Sequence, residues 1–404
     1  IKTSINMPKN FDLNQSLHIY LLLLLKFNMR FILTLLIILI FNLGLSQERR
    51  VITTAVPFLM IASDARAAGV GEQGVATSTD NFSQHWNPSK YVFSEFSSGV
   101  SFSYTPYLSK LVNDIFLANI SYYNKLDERS SWSASLKYFS LGDIDILQNP
   151  LDIPIIENPN EFTLDAAYSL KLNENFALAV TGRFLLSDVK LQTFDSETEA
   201  ASSFAVDISG YYESDISSYK NFDGIFRGGF NFSNIGPKMK YSKLNNGTES
   251  FLPTNLRLGT GFEFIFDSNN SIAITLEINK LLVPSPSQEV LNSSGDIVAY
   301  RQPDIGFLQG IFKSFGDAPD GFSEELNELT YSLGLEYSFN KSFYLRSGYF
   351  SEHELKGSRK FITIGSGFNT SNNLKIDLSY LISTSDVISP LENTVRLSLG
   401  FNFQ

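Results

Sequence analysis

Apolar and polar residues alternate along most of this chain with a period of two. The stretch Asn393 to Gln404 has the plainest form: Val395, Leu397, Leu399, Phe401 and Phe403 fall on one face of an extended segment, and Arg396, Ser398, Gly400 and Asn402 on the other. The same alternation predicts strands at 97–107, 114–124, 131–141, 160–172, 175–186, 200–213, 224–234, 252–267, 270–282, 328–339, 342–352, 358–369, 373–384 and 392–403, an even count of fourteen. Charges such as Arg257, Glu263, Glu277, Glu336, Lys375 and Asp377 recur on the second face. In a small soluble barrel that face would be the packed core, so the apolar face is expected outside. The fold class this implies is all-β: a 14-stranded antiparallel transmembrane β-barrel with a short N-terminal helical plug.

Connection lengths test that reading independently. Outer-membrane barrels have short inner turns and longer outer loops, with both chain ends on the inner side. The connections expected to be short are 125–130, 173–174, 214–223, 267–269, 340–341 and 370–372, and only 214–223 is longer than a tight turn. Those between them include 142–159, 187–199, 235–251 and a long one at 283–327. Strands of about 9–11 residues, tilted, span a bilayer core, and Tyr104, Tyr122, Trp132, Tyr168 and Tyr337 near strand ends suit its interfaces.

Composition removes several classes. The 404 residues include no cysteine, 35 Phe, 18 Tyr and 2 Trp, with a net charge of −11. A mean hydropathy of −0.03 is too low for a helical membrane protein. Without cysteine there is no disulfide scaffold or thiolate metal site, and the acidic balance argues against a nucleic-acid partner. Met29 and Arg30 precede an apolar run, Phe31 to Leu45, and the small residues Gly44 and Ser46, the pattern of a secretory signal peptide with translation starting at Met29. An anchor over Tyr20 to Phe41 would hold Lys26 and Arg30, each costing about 2.5–3.5 kcal/mol near the middle of a span. The domains expected are an upstream segment and signal peptide at 1–46, a plug at 47–96 and the barrel at 97–404.

Within the plug, Ala62 to Ala68 is helix-compatible with Ser63 as its N-cap, and Gly69, Gly71 and Gly74 break it. Those glycines match the dinucleotide fingerprint in spacing, but the fingerprint needs a strand before it and a helix after it, the reverse of the order here. No cofactor is expected. His85 and His353 have no second ligand at metal spacing. His353, between Glu352 and Glu354, is the best candidate for a hydrolase triad, against the plainer reading of a solvated loop histidine. The inward charges Arg183, Arg227, Arg257, Glu263, Glu277, Arg346, Arg396, Asp165 and Asp377 could line a pore or pair with one another and the plug. In the long outer loop, Phe307, Leu308, Ile311, Phe312, Phe315 and Phe322 present apolar surface that needs a cover, either a partner or the barrel mouth beneath a lid.

Three motifs carry a family resemblance: D-A-R-A-A-G-V-G-E-Q-G-V-A-T-S at 64–78, H-W-N-P-S-K-Y at 85–91 and G-I-F-K-S-F-G-D-A-P-D-G-F-S-E-E-L at 310–326. They resemble the PorV (LptO) family of the Bacteroidetes type IX secretion system, within the FadL-like superfamily of outer-membrane barrels. Asn87-Pro88-Ser89 looks like that group's N-P-A box, with serine in place of alanine. The resemblance implies residence in the cell outer membrane, contact with its lipid, and a non-enzymatic role. It also implies binding of the C-terminal signal domains of secreted cargo, and their transfer from an SprA-like translocon to an attachment complex containing the sortase-like PorU. The alternatives are a FadL-like channel for hydrophobic compounds and an outer-membrane hydrolase acting on lipopolysaccharide. The residues expected to matter are the six apolar loop residues for partner binding, and Asp64, Arg66, Gly69, Gly71, Gly74, Trp86, Asn87 and Pro88 in the plug.

Overall fold

The computed structural model describes residues 50–147, 153–189, 199–241, 249–295, 297–385 and 389–404. The expected signal peptide and start codon lie outside them. Fourteen long strands form one closed sheet: β1 (Ser98–Pro106), β2 (Ile115–Lys125), β3 (Ser130–Leu141), β4 (Asn160–Lys171), β5 (Phe176–Asp188), β6 (Ala201–Glu213), β7 (Asp223–Ile235), β8 (Asn255–Ile265), β9 (Asn270–Leu281), β10 (Leu329–Phe339), β11 (Phe343–Ser351), β12 (Lys360–Asn369), β13 (Leu374–Ser383) and β14 (Val395–Phe403). Each pairs antiparallel with its chain neighbours. The ring closes where β14 meets β1, in a register running from Ser98 opposite Phe403 to Tyr104 opposite Leu397.

The two faces have the polarity that the alternation demands. Val100, Phe102, Leu258, Leu333, Ile364 and Val395 are exposed on the outside, while Ser101, Ser103, Ser332, Thr363, Arg396 and Ser398 are buried inside. Leaving apolar side chains outward is favourable only against lipid, and closing the ring removes the unpaired strand edges that a bilayer cannot satisfy. Tyr122, Trp132 and Tyr168 cluster on that outer face at the short-turn end, with Trp132 opposite Tyr168 in register and 5.4 Å from Tyr122.

Several boundaries shift for local reasons. β8 begins at Asn255 rather than 252, since Pro253 has no backbone donor for the ladder. β14 begins at Val395 because Asn393 adopts a left-handed φ of 57°. The long turn 214–223 holds a two-residue strand, Ser217–Ser218, paired with the start of β7. The longest loop contains a hairpin, Gln288–Leu291 with Ile297–Arg301, and two short helices.

Inside the ring, the lumen is filled by the segment before β1. Towards the long-loop end its lining is apolar: Ala55, Val56, Phe58 and Leu59 pack on Leu117, Phe139, Leu185 and Met239. The middle is polar and ionic. The short-turn end opens into a cavity of about 970 Å³ with Arg66, Asp80, Glu213, Arg227, Glu336 and Lys375 among its walls.

Candidate functional site

Two parts of the molecule have surfaces that the barrel alone does not require, namely the plug and the longest loop. In the plug, helix α1 (Ala65–Gly69) is capped by Asp64, whose carboxylate accepts from Ala67 N at 2.8 Å. The expected cap, Ser63, lies one residue outside; its carbonyl instead accepts from the Ser103 hydroxyl on β1. The other Asp64 oxygen accepts from the Trp86 indole at 2.8 Å, so one carboxylate ties α1 to helix α2 (Ser83–Trp86). Arg66 donates to both oxygens of Glu336, at 2.8 and 3.0 Å, and to Asp80 at 2.8 Å. Arg346 joins Glu336 to Asp377, and Arg396 pairs with Glu72 at 2.7 Å. Arg183 pairs with Asp165 and Asp207, and Arg227 with Glu213 and Glu263. Glu277 accepts from Gly74 N and Val75 N, both at 3.0 Å. Most of the inward charges are therefore paired with one another or with the plug, and Arg227, Glu263 and Glu336 also wall the cavity at the short-turn end.

The plug backbone from Gly69 to Ala76 runs along the inner wall and needs glycine on both sides. A Cβ on Gly71, whose φ is +86°, would stand 2.9 Å from Tyr349 O. One on Gly74 would enter the Trp86 indole, and one on Gly348 of β11 would strike the Gly71 amide. Gly365, Gly334, Gly259 and Gly229 of β12, β10, β8 and β7 meet the same track in turn. Of the three glycines spaced like a nucleotide fingerprint, Gly69 and Gly71 are thus used for close passage against strands and Gly74 for close passage against the plug's own Trp86. Asn87 donates to Val75 O and Gly210 O, and Ser169 of β4 donates to Pro88 O. Asn81 donates to Val100 O and Phe401 O, both at 3.2 Å, across the β1–β14 seam, and Ala65 N donates to the Ser398 hydroxyl at 2.7 Å.

The longest loop has a fixed base and an apolar crown. Helix α4 (Phe322–Asn327) turns Glu324 and Glu325 inward, where they and Glu328 meet two lysines. Lys280 of β9 reaches Glu325 at 2.8 Å and Glu328 at 2.6 Å; Lys356 reaches Glu324 at 2.6 Å and Glu328 at 2.9 Å. Ser285 N faces the Asp317 carboxylate at 3.3 Å. Burial, with Glu328 and Glu325 nearby, pushes the Asp317 carboxyl up to about 6. Helix α3 (Phe307–Lys313) packs Gly310 on Phe251 and Pro284 and buries Ile311 to 5% exposure. Leu308 at 55% and Phe312 at 77% are exposed one turn apart on the helix, and Phe315, just past its end, is 56% exposed. Phe322 is 77% exposed and Leu326 is exposed beside it; Phe307 is half-buried. Four of the six expected loop residues thus form the outward crown, and Ile311 belongs to the base. The lysine-carboxylate base was not foreseen, although E-E-L-N-E at 324–328 was its visible signal.

His353 sits in the turn before β12, where its Nδ1 faces Leu355 N at 3.3 Å. The flanking Glu352 and Glu354 are engaged by Arg359 and Lys360.

A family model described as "Type IX secretion system protein PorV" matches residues 45–288. None of the curated proteins matches the chain. Among solved structures, the Pseudomonas putida toluene transporter TodX aligns with a TM-score of 0.51 at 10% identity, over 85% of this chain and 99% of its own. The Ralstonia pickettii toluene transporter TbuX gives 0.46 at 8%, over 86% and 100%. A Pseudomonas aeruginosa FadL homologue gives 0.45 at 10%, over 88% and 100%. At such identities the TodX likeness is one of fold.

Proposed function

The chain belongs to the PorV family and is an outer-membrane β-barrel of the type IX secretion system, and on that premise we propose that it captures the C-terminal signal domain of secreted cargo on its longest loop. The loop would receive that domain from an SprA-like translocon and release it to an attachment complex containing a PorU-like sortase, without catalysis by the barrel itself. The observation that carries this reading is the crown of Leu308, Phe312, Phe315 and Phe322, which is exposed on a loop whose base is fixed by four lysine–carboxylate pairs. Aromatic side chains supply most hot-spot energy when a partner dries them. A surface held rigid before contact gives up little entropy on binding. The lid alternative would bury these rings against the barrel, and in the folded chain they face away from it.

The test is capture of a purified C-terminal signal domain by the barrel in detergent, native against a Phe312→Ser, Phe322→Ser double variant. Capture by native protein alone supports the assignment. Absence of capture by native protein removes the cargo reading, and equal capture by both removes the loop from it. The hydrolase alternative rests on His353 and predicts that His353→Ala abolishes function. We expect the variant to keep full capture.

The channel reading has one observation in its favour, the apolar outer part of the lumen, which residues 55–59 of the chain itself occupy. It predicts passage of an apolar dye into barrel-containing vesicles, whereas the cargo reading predicts none above empty vesicles.

A further inference from the structure

The inner turn between β6 and β7, residues 214–223, is the one that exceeds a tight turn, and neither the plug nor the longest loop accounts for it. Its own backbone orders it. Ser217 and Ser218 pair with Gly224 and Asp223, Phe226 N donates to the Ser214 hydroxyl at 2.9 Å, and Tyr219 N donates to Phe222 O at 2.9 Å. Tyr219 and Phe222 are thereby held at its tip.

Both rings lie against the outward face of the wall. The alternation on β8 that leaves Leu258 outside and buries Arg257 in the lumen also turns Phe262 and Phe264 outward. The Phe222 ring centroid is 5.1 Å from that of Phe264 and 6.4 Å from that of Phe262. Tyr219 lies 4.9 Å from Phe222 and 6.2 Å from Phe262. Gly224 of β7 leaves the space for them, since a Cβ there would strike the Phe262 ring and stand 3.0 Å from Tyr219 Cε2. Ile216 borders the inner cavity, while the tip folds back along the side of the barrel.

The surface left uncovered is aromatic. Tyr219 is 51% exposed, and Phe226, which faces Phe262 in register, is 45% exposed. Strand position sets the height of this patch. Phe262 stands three residues before the end of β8, as Tyr168 stands three before the end of β4. Tyr168 belongs to the outward aromatic cluster at the short-turn end, so the two patches share a level. Rings at such a level lie among lipid headgroups, the apolar body towards the acyl chains and the Tyr hydroxyl towards water. The turn carries Asp215, Lys220 and Asp223, and the next inner turn carries Asp267. Negative charge prevails, so burial of the rings, not attraction to anionic lipid, is the force available.

We propose that this turn is a lipid-binding foot: Tyr219 and Phe222 continue the lipid-facing wall of β7 and β8 into the headgroup layer of the inner leaflet, where phospholipid covers them. The barrel's lipid contact is thereby carried off the sheet and onto a connecting segment. The depth of the β7–β8 side is fixed by a device separate from the cluster of Tyr122, Trp132 and Tyr168.

The test is tryptophan fluorescence of the full barrel in phosphatidylcholine vesicles, with acyl chains either plain or brominated near the headgroup. The reporter is Tyr219→Trp in a Trp132→Phe background, because Trp132 itself faces lipid. Trp86, buried in the lumen at 2% exposure, adds a constant signal. Most of the emission added by Tyr219→Trp is expected to be lost in brominated vesicles. Added emission that brominated lipid leaves unchanged and aqueous iodide quenches overturns the proposal, and marks the turn as a water-facing surface. Phe222→Trp, read in the same background, decides the matter if Tyr219→Trp does not fold.

Discussion

Gly348 of β11 and Gly71 of the plug pass so closely that neither strand nor plug has room for a single methyl group at Gly348: its Cβ would strike the Gly71 amide and the Val70 carbonyl carbon. Both obstacles are backbone, which cannot rotate away as a side chain tip can. Gly348→Ala is therefore expected to destabilise the folded barrel by about 1–3 kcal/mol, the usual cost of overpacking. The readout is the temperature at which the protein loses its folded mobility on an unboiled gel. Gly182→Ala is the control, since a Cβ there meets nothing within 4 Å, and its transition should stay where the native one is.

Arg66 is the cation through which the plug grips the wall. Its removal leaves Asp80 without its nearest cation and takes one of two arginines from Glu336. Arg66→Gln should cost about 3–5 kcal/mol, the range for breaking a buried ion pair. Urea titration in detergent would show the midpoint falling, and protease would cut the plug at concentrations that spare native protein. An unmoved midpoint would mean that the hydrogen bonds of Asn81, Asn87 and Ala65 hold the plug on their own.

The loop crown and the loop base should separate cleanly. Phe312→Ser and Phe322→Ser alter side chains that touch little, so stability should stay within about 0.5 kcal/mol of native. Capture of a signal domain should fall by about thirtyfold or more, a hot-spot loss of some 2 kcal/mol. Ile311→Ala should do the reverse, destabilising by about 2–5 kcal/mol, the range for a buried large-to-small change. Calorimetry and a binding isotherm on the same preparations distinguish the two.

Asp317 gives the loop a pH dependence whose sign is fixed. Its carboxyl is raised to about 6 by burial and by Glu328 and Glu325, so the folded loop binds its proton more tightly than the unfolded chain does. Local stability therefore rises as pH falls from above 6 towards 4 and is lowest above 6. Limited proteolysis of the loop should be faster at pH 8 than at pH 5.5. Asp317→Asn should slow it at pH 8 and flatten the difference.

The barrel was legible because its two faces answer to opposite solvents, so every strand repeats the same contrast and the loops alternate in length. The fit of the plug was not. Arg66 and Glu336 are 270 residues apart, and nothing local marks either as the other's partner. Wall glycines such as Gly334 and Gly348 look like weak points in their strands until the plug is seen to lie on them. Ser63 and Asp64 are both good caps, and only the pull of Ser103 on the Ser63 carbonyl and of Trp86 on the Asp64 carboxylate decides between them. In the loop, helical spacing puts Ile311, three residues after Leu308 and four before Phe315, on the same face as both, so only the packing of the loop on Phe251 and Pro284 separates the buried residue from the exposed ones.

The hydrogen bonds of Asn81 to Val100 on β1 and Phe401 on β14 bear on the order of assembly. Until β14 arrives, the amide has one carbonyl partner, Ala65 N lacks Ser398 and Glu72 lacks Arg396. The arrival of β14 supplies all three together with the ladder to β1. Sealing the ring is thus more favourable around a seated plug than around an empty lumen, and a barrel that closed without it would leave Arg396 and its neighbours charged and unanswered. The segment that precedes the first strand acts as the mandrel on which the last is fastened.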